Sequence, residues 1–217
     1  MYNTNNSYFS NSLLHWYDSN CRDLPWRKTN DLYKIWISEV MLQQTRVDTV
    51  VPYYLRWVEK YKSIKSVAKA DDLNLLKLWE GLGYYSRCRN FHKACKIIVN
   101  DYGGDFPSDY QKFRLLPGVG DYTASAVFSI SFKQTYAAID GNVRRVMARV
   151  LRIKNITKRN NKRIYNTLIK WMDRERPGDI NQALMDLANS ICCVDYALCS
   201  ACPIDEICMA NKMSIPE

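Results

Sequence analysis

Apolar positions recur every three to four residues along most of this chain, the period of an α-helix with one buried face. Residues 32–46 form the first such run. Leu32, Ile35, Trp36 and Leu42 fall on one stripe of a helical wheel, with Glu39 in the middle of it. Further helices are predicted over residues 48–61, 73–79, 86–102, 162–174 and 180–191. Residues 110–132 read as two helices joined by Leu116-Pro117-Gly118-Val119-Gly120, where Pro and Gly stop the first helix and permit a tight turn. After Asp140, Val143, Val146, Met147, Val150 and Leu151 point inward, while Arg145, Arg149 and Arg152 share another face. Residues 1–12 are Asn- and Ser-rich and are expected to be weakly ordered, with a helix beginning at Leu13. Pro25 excludes Leu24 from helical space, so Asp23–Arg27 is expected as an extended turn. No repeat, low-complexity tract or flexible linker interrupts the pattern.

Composition narrows the partners. The chain has 217 residues, 47% of them hydrophobic and 24% charged, enough for one large or two small domains with a core. Its net charge of +9 favours a polyanion, nucleic acid first, although a solvated basic surface accounts for it equally well. No stretch suits a membrane span or a secretory signal, so no membrane partner and an intracellular, reducing compartment are expected. There, eight cysteines point to metal ligation rather than disulfides. Cys192, Cys199, Cys202 and Cys208 are separated by short, unequal loops that suit a compact iron–sulfur cube, and zinc stays open on spacing alone. Cys21, Cys88, Cys95 and Cys193 are left outside that set.

Three stretches carry candidate chemistry. A carboxyl group at Glu39, set against Trp and aliphatic neighbours, is costly to ionise, so its pKa is expected to rise. The same position also suits a Glu reaching solvent at the stripe's edge, or one paired with a buried Arg. The unpaired N–H groups opening the helix after Gly120, beside a turn without side chains, suit a phosphate. Gly81–Arg89 combines two glycines, two tyrosines and two arginines, which fits base stacking and phosphate contact, or a connector with core tyrosines. Asp140 could equally be an ordinary helix N-cap.

Taken together, the cysteine spacing, the Leu116–Gly120 hairpin and Asp140 resemble the helix–hairpin–helix DNA glycosylases that carry a 4Fe–4S cluster. Within these, Leu24-Pro25-Trp26-Arg27, Ser38-Glu39-Val40-Met41-Leu42-Gln43-Gln44-Thr45, Gly81-Leu82-Gly83-Tyr84-Tyr85-Ser86-Arg87 and Asp140-Gly141-Asn142-Val143 are similar to the MutY-type adenine glycosylases. The likeness runs from residue 13 to residue 210. It implies an all-α, two-lobed helix–hairpin–helix glycosylase fold, with a six-helix barrel lobe at 26–133 and an iron–sulfur lobe from residues 1–25 and 134–217, and with Glu39 and Asp140 facing a DNA cleft. It implies that Glu39 acts as proton donor to adenine and that Asp140 stabilises the sugar cation, the two positioned by Tyr122 and Asn142. Gln44 and Tyr84 would enter the duplex near the opposing base. Gly118, Val119 and Gly120 would hold a phosphate, and Trp26, Arg27, Leu42 and Gln182 would border the base. The four cysteines would ligate the cluster. The implied partner of this monomer is double-stranded DNA with a mismatched or damaged base, in the nucleoid. Tyr122 stands where strand-nicking relatives carry a Schiff-base lysine, so strand cleavage is not expected. Most adenine glycosylases of this type have a further C-terminal domain that reads 8-oxoguanine, and no residues are left for one here. That leaves the opposing base open, with thymine or uracil mismatch glycosylases, or a non-catalytic iron–sulfur DNA-binding protein, as alternatives.

Overall fold

The computed structural model describes residues 2–212, with side chains from residue 6. Among the described residues twelve α-helices follow in order: α1 (Tyr2–Asn20), α2 (Leu32–Leu42), α3 (Val47–Lys60), α4 (Ile64–Ala68), α5 (Asp72–Trp79), α6 (Ser86–Asp101), α7 (Tyr110–Arg114), α8 (Asp121–Ser131), α9 (Gly141–Val150), α10 (Lys158–Trp171), α11 (Pro177–Ser190) and α12 (Met209–Lys212). No strand occurs among the described residues; a single antiparallel bridge joins Cys192 and Ala197. The protein is all-α, as the resemblance implies.

The chain divides into two compact units: one is Asp23–Val127, the other joins the residues up to Arg22 to those from Phe128 onward. The first unit packs around aromatic rings. Trp36 of α2 meets Phe91, Phe106 and Phe113 edge-on, and Trp57 meets Trp79 in the same manner. Such contacts match the positive ring edge to the negative face. Tyr33 donates to the Tyr61 carbonyl at 2.6 Å and accepts from Trp57 Nε1 at 3.0 Å, which satisfies the buried polar atoms of these two rings.

α2 departs from the one-striped helix of the sequence reading. Tyr33 and Ile35 to Met41 are all buried, because α2 runs through the middle of its unit and packs on α3 and α6. Leu32 and Leu42, expected on the buried stripe, are only half-buried. The helix also ends at Leu42 rather than at residue 46. Gln44 turns left-handed at φ 56°, and Arg46 then caps α3.

In the second unit α1, α9, α10 and α11 enclose an apolar core that includes Phe9, Leu13, Val146, Leu168 and Leu187. Residues 2–12, expected to be weakly ordered, belong to α1 instead, since Phe9 is fully buried there. α4 escaped the periodicity because five residues make barely one turn; a reciprocal Ser63–Ser66 capping box sets it. α11 begins at Pro177, earlier than predicted, with proline at the first helical position where its missing N–H costs nothing.

Candidate active site

Glu39 lies on α2 with 6% of its surface exposed, among Trp36, Val40 and Met41. Of the positions open to it in the sequence, the structure selects burial over the solvent edge. Gln43, one turn on, donates to Thr123 Oγ1 at 3.2 Å. That bond ties the end of α2 to the start of α8, where Tyr122 stands half-buried. Leu24 is extended (φ −119°, ψ 139°), and Pro25–Arg27 then forms a 3-10 turn. It buries Trp26 edge-on against Tyr54, while Arg27 is half-buried.

The hairpin between α7 and α8 is built on two anchors, Leu116 and Val119, both buried. Val119 N–H donates to the Leu116 carbonyl at 3.0 Å, closing the turn. Its glycines differ in kind. Gly118 has φ 78°, and a Cβ there would come within 2.9 Å of Asn90 Cβ, so the fold itself requires glycine. At Gly120 a Cβ would meet nothing within 4 Å. Packing does not demand that gap, and it leaves backbone N–H groups approachable from outside.

Arg87, at the start of α6, is buried rather than offered to phosphate, which corrects the sequence reading; Arg89 is the exposed one. Its Nη1 donates to the carbonyls of Val40, Met41 and Gln43 at 3.1, 2.7 and 2.5 Å. Its Nη2 donates to Thr45 Oγ1 at 3.1 Å and to the carbonyls of Leu82 and Gly83 at 3.4 and 3.2 Å. The guanidinium also lies over the rings of Trp79 and Tyr84. Burial lowers its pKa, and the carbonyls ending α2 supply negative potential in return. Gln44 and Tyr84, both exposed, are left-handed at φ 56° and 48°. A left-handed non-glycine residue costs roughly 1–2 kcal/mol, so something must hold each one.

In the other unit, Asp140 caps α9: its Oδ1 accepts from Val143 N–H at 2.7 Å and its Oδ2 from Asn142 Nδ2 at 2.9 Å. Asn142 Oδ1 accepts from Arg145 Nη1 at 3.0 Å. Arg145 goes on to the Ala188 carbonyl at 2.9 Å and the Cys192 carbonyl at 3.2 Å. Arg149 donates to Cys192 Sγ at 3.2 Å and to the carbonyls of Cys193 and Val194 at 2.6 and 3.2 Å. Two members of the predicted arginine face thus hold the cysteine loop, while Arg152 stays exposed. Asn181, absent from the sequence reading, is 1% exposed and accepts from Ala138 N–H at 3.0 Å while donating to the Tyr136 carbonyl. It fixes the segment leading to Asp140; a lone Asn inside a helical run gives no signal of that. Gln182 accepts from Tyr17 Oη at 3.2 Å.

Cys192, Cys199, Cys202 and Cys208 all border one cavity of about 350 Å³, which Arg149 also lines. Burial pushes the Cys202 thiol up to about 11, with Cys192 and Cys208 adding to the rise. Among the described residues no group of three or more His, Cys, Asp or Glu could hold a single metal ion. Cys88 and Cys95 are buried thiols of the other unit and Cys21 is exposed. No described helix is long and apolar enough to cross a membrane.

Comparison with known proteins gives the family. The adenine DNA glycosylase of Mus musculus is 41% identical over 215 residues, covering 94% of this chain and 42% of its own length. That of Buchnera aphidicola subsp. Acyrthosiphon pisum is 39% identical, with 94% of this chain and 59% of its own length covered. The chain therefore spans about half the length of these curated relatives. A thermostable thymine-DNA glycosylase superposes with a TM-score of 0.89 at 28% identity, covering 97% of this chain and 98% of its own. Endonuclease III in a trapped covalent DNA intermediate superposes at 0.79 over 95% of each chain with 22% identity, which speaks to the fold. The profile of HhH-GPD superfamily base excision DNA repair proteins matches residues 37–174, a span that takes in Glu39, the hairpin and Asp140, and the chain belongs to that superfamily.

Proposed function

We propose that the protein is an adenine DNA glycosylase that flips adenine, mispaired with 8-oxoguanine or guanine, out of duplex DNA and hydrolyses its N-glycosidic bond. The observation that carries this reading is the pair of unlike carboxyl groups: Glu39 buried on an apolar helix, Asp140 held at a helix N-terminus by two N–H donors. Breaking a base from deoxyribose builds positive charge on the sugar and negative charge on the base, which calls for an acid and a carboxylate. Burial disfavours the charged form of Glu39 and suits it to protonate the adenine imidazole ring. Asp140, fixed by Asn142 and Val143, stabilises the sugar cation or bonds to it transiently. Glu39, its proton given up, then activates water. Tyr122 and Asn142 position the two groups, and Trp26, Arg27, Leu42 and Gln182 border the flipped base. Gly118, Val119 and Gly120 hold a backbone phosphate, and the open space at Gly120 supports that reading. With tyrosine at position 122 no Schiff base forms, and the product is an intact strand with an abasic site.

Cys192, Cys199, Cys202 and Cys208 would hold a 4Fe–4S cluster. Four thiols separated by short, unequal loops around one cavity suit a compact multinuclear group. When bound, it would staple the loop onto which Arg145 and Arg149 donate. Purified protein is expected to be brown with broad visible absorbance; a colourless, zinc-loaded protein refutes the assignment.

Duplexes pairing adenine, thymine or uracil with 8-oxoguanine or guanine test the substrate. Release of adenine, seen as strand breaks only after alkali, is expected. The likeness to a thymine-DNA glycosylase favours a second reading, and release of thymine or uracil opposite guanine with adenine untouched would put it in place of the first. A borohydride-trapped enzyme–DNA adduct would refute the absence of strand cleavage.

A further inference from the structure

The two non-glycine residues with left-handed backbone at the edge of α2 and in the Gly81–Tyr85 loop are Gln44 and Tyr84, the same two read above as entering the duplex beside the opposing base. One side chain reaches both segments. Arg87 Nη1 donates to the Gln43 carbonyl and Nη2 to the Gly83 carbonyl. Each carbonyl belongs to the peptide plane directly before a left-handed residue. The φ angle of Gln44 or Tyr84 is the rotation that starts from that plane, so fixing the plane fixes where the side chain emerges. The remaining bonds of Nη1 go to the end of α2, and those of Nη2 to Leu82 and to Thr45, which follows Gln44. The ring of Tyr84 lies over the guanidinium as well.

We infer that Arg87 is a positioning residue that sets Gln44 and Tyr84 as one rigid two-pronged wedge, and that discrimination of the opposing base depends on it. The inference rests on the reading of Gln44 and Tyr84 as duplex contacts. A planar fork is needed because the two carbonyls directly before Gln44 and Tyr84 are held by different nitrogens, that of Gln43 by Nη1 and that of Gly83 by Nη2. The single ammonium of lysine keeps the charge but cannot span both.

The test measures the preference for mispaired over fully matched duplex, as a ratio of Kd values with a non-hydrolysable 2′-fluoro-adenosine analogue. Arg87→Lys is expected to lower this ratio about tenfold, the size of one lost base-reading contact. In a Gln44→Ala/Tyr84→Ala background, which itself lowers the ratio, the same substitution is expected to change it no further, because the residues act as a unit. An equal loss in both backgrounds, or none in the wild type, overturns the inference while leaving adenine release, and with it the proposed activity, intact. A ratio unchanged by Gln44→Ala/Tyr84→Ala overturns the reading of the wedge itself and the inference with it. Should Arg87→Lys fail to fold, Thr45→Val removes one Nη2 acceptor and is expected to lower the ratio about threefold by the same logic; an unchanged ratio overturns the inference.

Discussion

Replacing Arg145 by methionine removes three charge-assisted hydrogen bonds while keeping most of the side chain's apolar stem. The acceptors fare differently. Ala188 is 1% exposed, so its carbonyl at the end of α11 loses a partner that water cannot readily replace, at about 1–3 kcal/mol. The Asn142 and Cys192 acceptors belong to half-buried residues and regain water, so each bond counts for about 0.5–1 kcal/mol. The sum is about 3 kcal/mol. For a chain of this size each kcal/mol moves the melting temperature by about 2–4 °C, so a fall of about 6–12 °C is expected by circular dichroism. Function should fall further than stability. Without its donor, Asn142 Oδ1 no longer fixes the amide that holds Asp140 Oδ2. Single-turnover adenine release, measured well below the melting temperature, should drop at least about tenfold, close to the loss in Asn142→Ala. A melting temperature lowered by under about 2 °C would refute the bonding described here. A rate loss in Asn142→Ala but not in Arg145→Met would show that Asp140 is oriented without Arg145.

Three further outcomes follow from single residues. In the proposed mechanism Glu39→Gln keeps shape but cannot deliver the proton, so base release should fall by about a hundredfold or more with duplex Kd within about threefold; unimpaired release would remove the mechanism. Gly118→Ala, strained at φ 78° and crowded by Asn90, should cost about 1–3 kcal/mol in urea unfolding, whereas Gly120→Ala should unfold like the wild type yet bind DNA more weakly. Equal stability of the two variants would contradict the geometry. Burial pushes the Cys88 thiol up to about 12 and raises Tyr33 as well. Both are neutral in the folded state while their unfolded counterparts ionise, so stability is full below about pH 8.5 and declines as pH rises toward 12. Cys88→Ala should flatten that decline between pH 9 and 11, and parallel profiles would exclude Cys88 as a cause.

Local signals were enough to mark most of the helices, the hairpin turn, the close cysteine spacing and two candidate carboxyl groups. Amphipathic period, Pro–Gly punctuation and short cysteine loops act over one or two turns of chain, and such patterns survive in one dimension. What they left ambiguous was decided by packing. Glu39 was open to the solvent edge or to burial; only the passage of α2 through its unit, with nearly every side chain covered, selects burial. Arg87 looked like a phosphate ligand beside two tyrosines. Its acceptors lie on Val40 to Thr45, more than forty residues earlier, so no local pattern could foretell that it faces inward. Arg145 and Arg149 read as one basic face, and the fold turned that face onto the cysteine loop. The sequence by itself thus determined which chemical groups the protein has and which helices carry them. The tertiary structure decided which of those groups are withdrawn from water and which carbonyls meet them, because desolvation and hydrogen-bond partnership depend on segments distant in the chain.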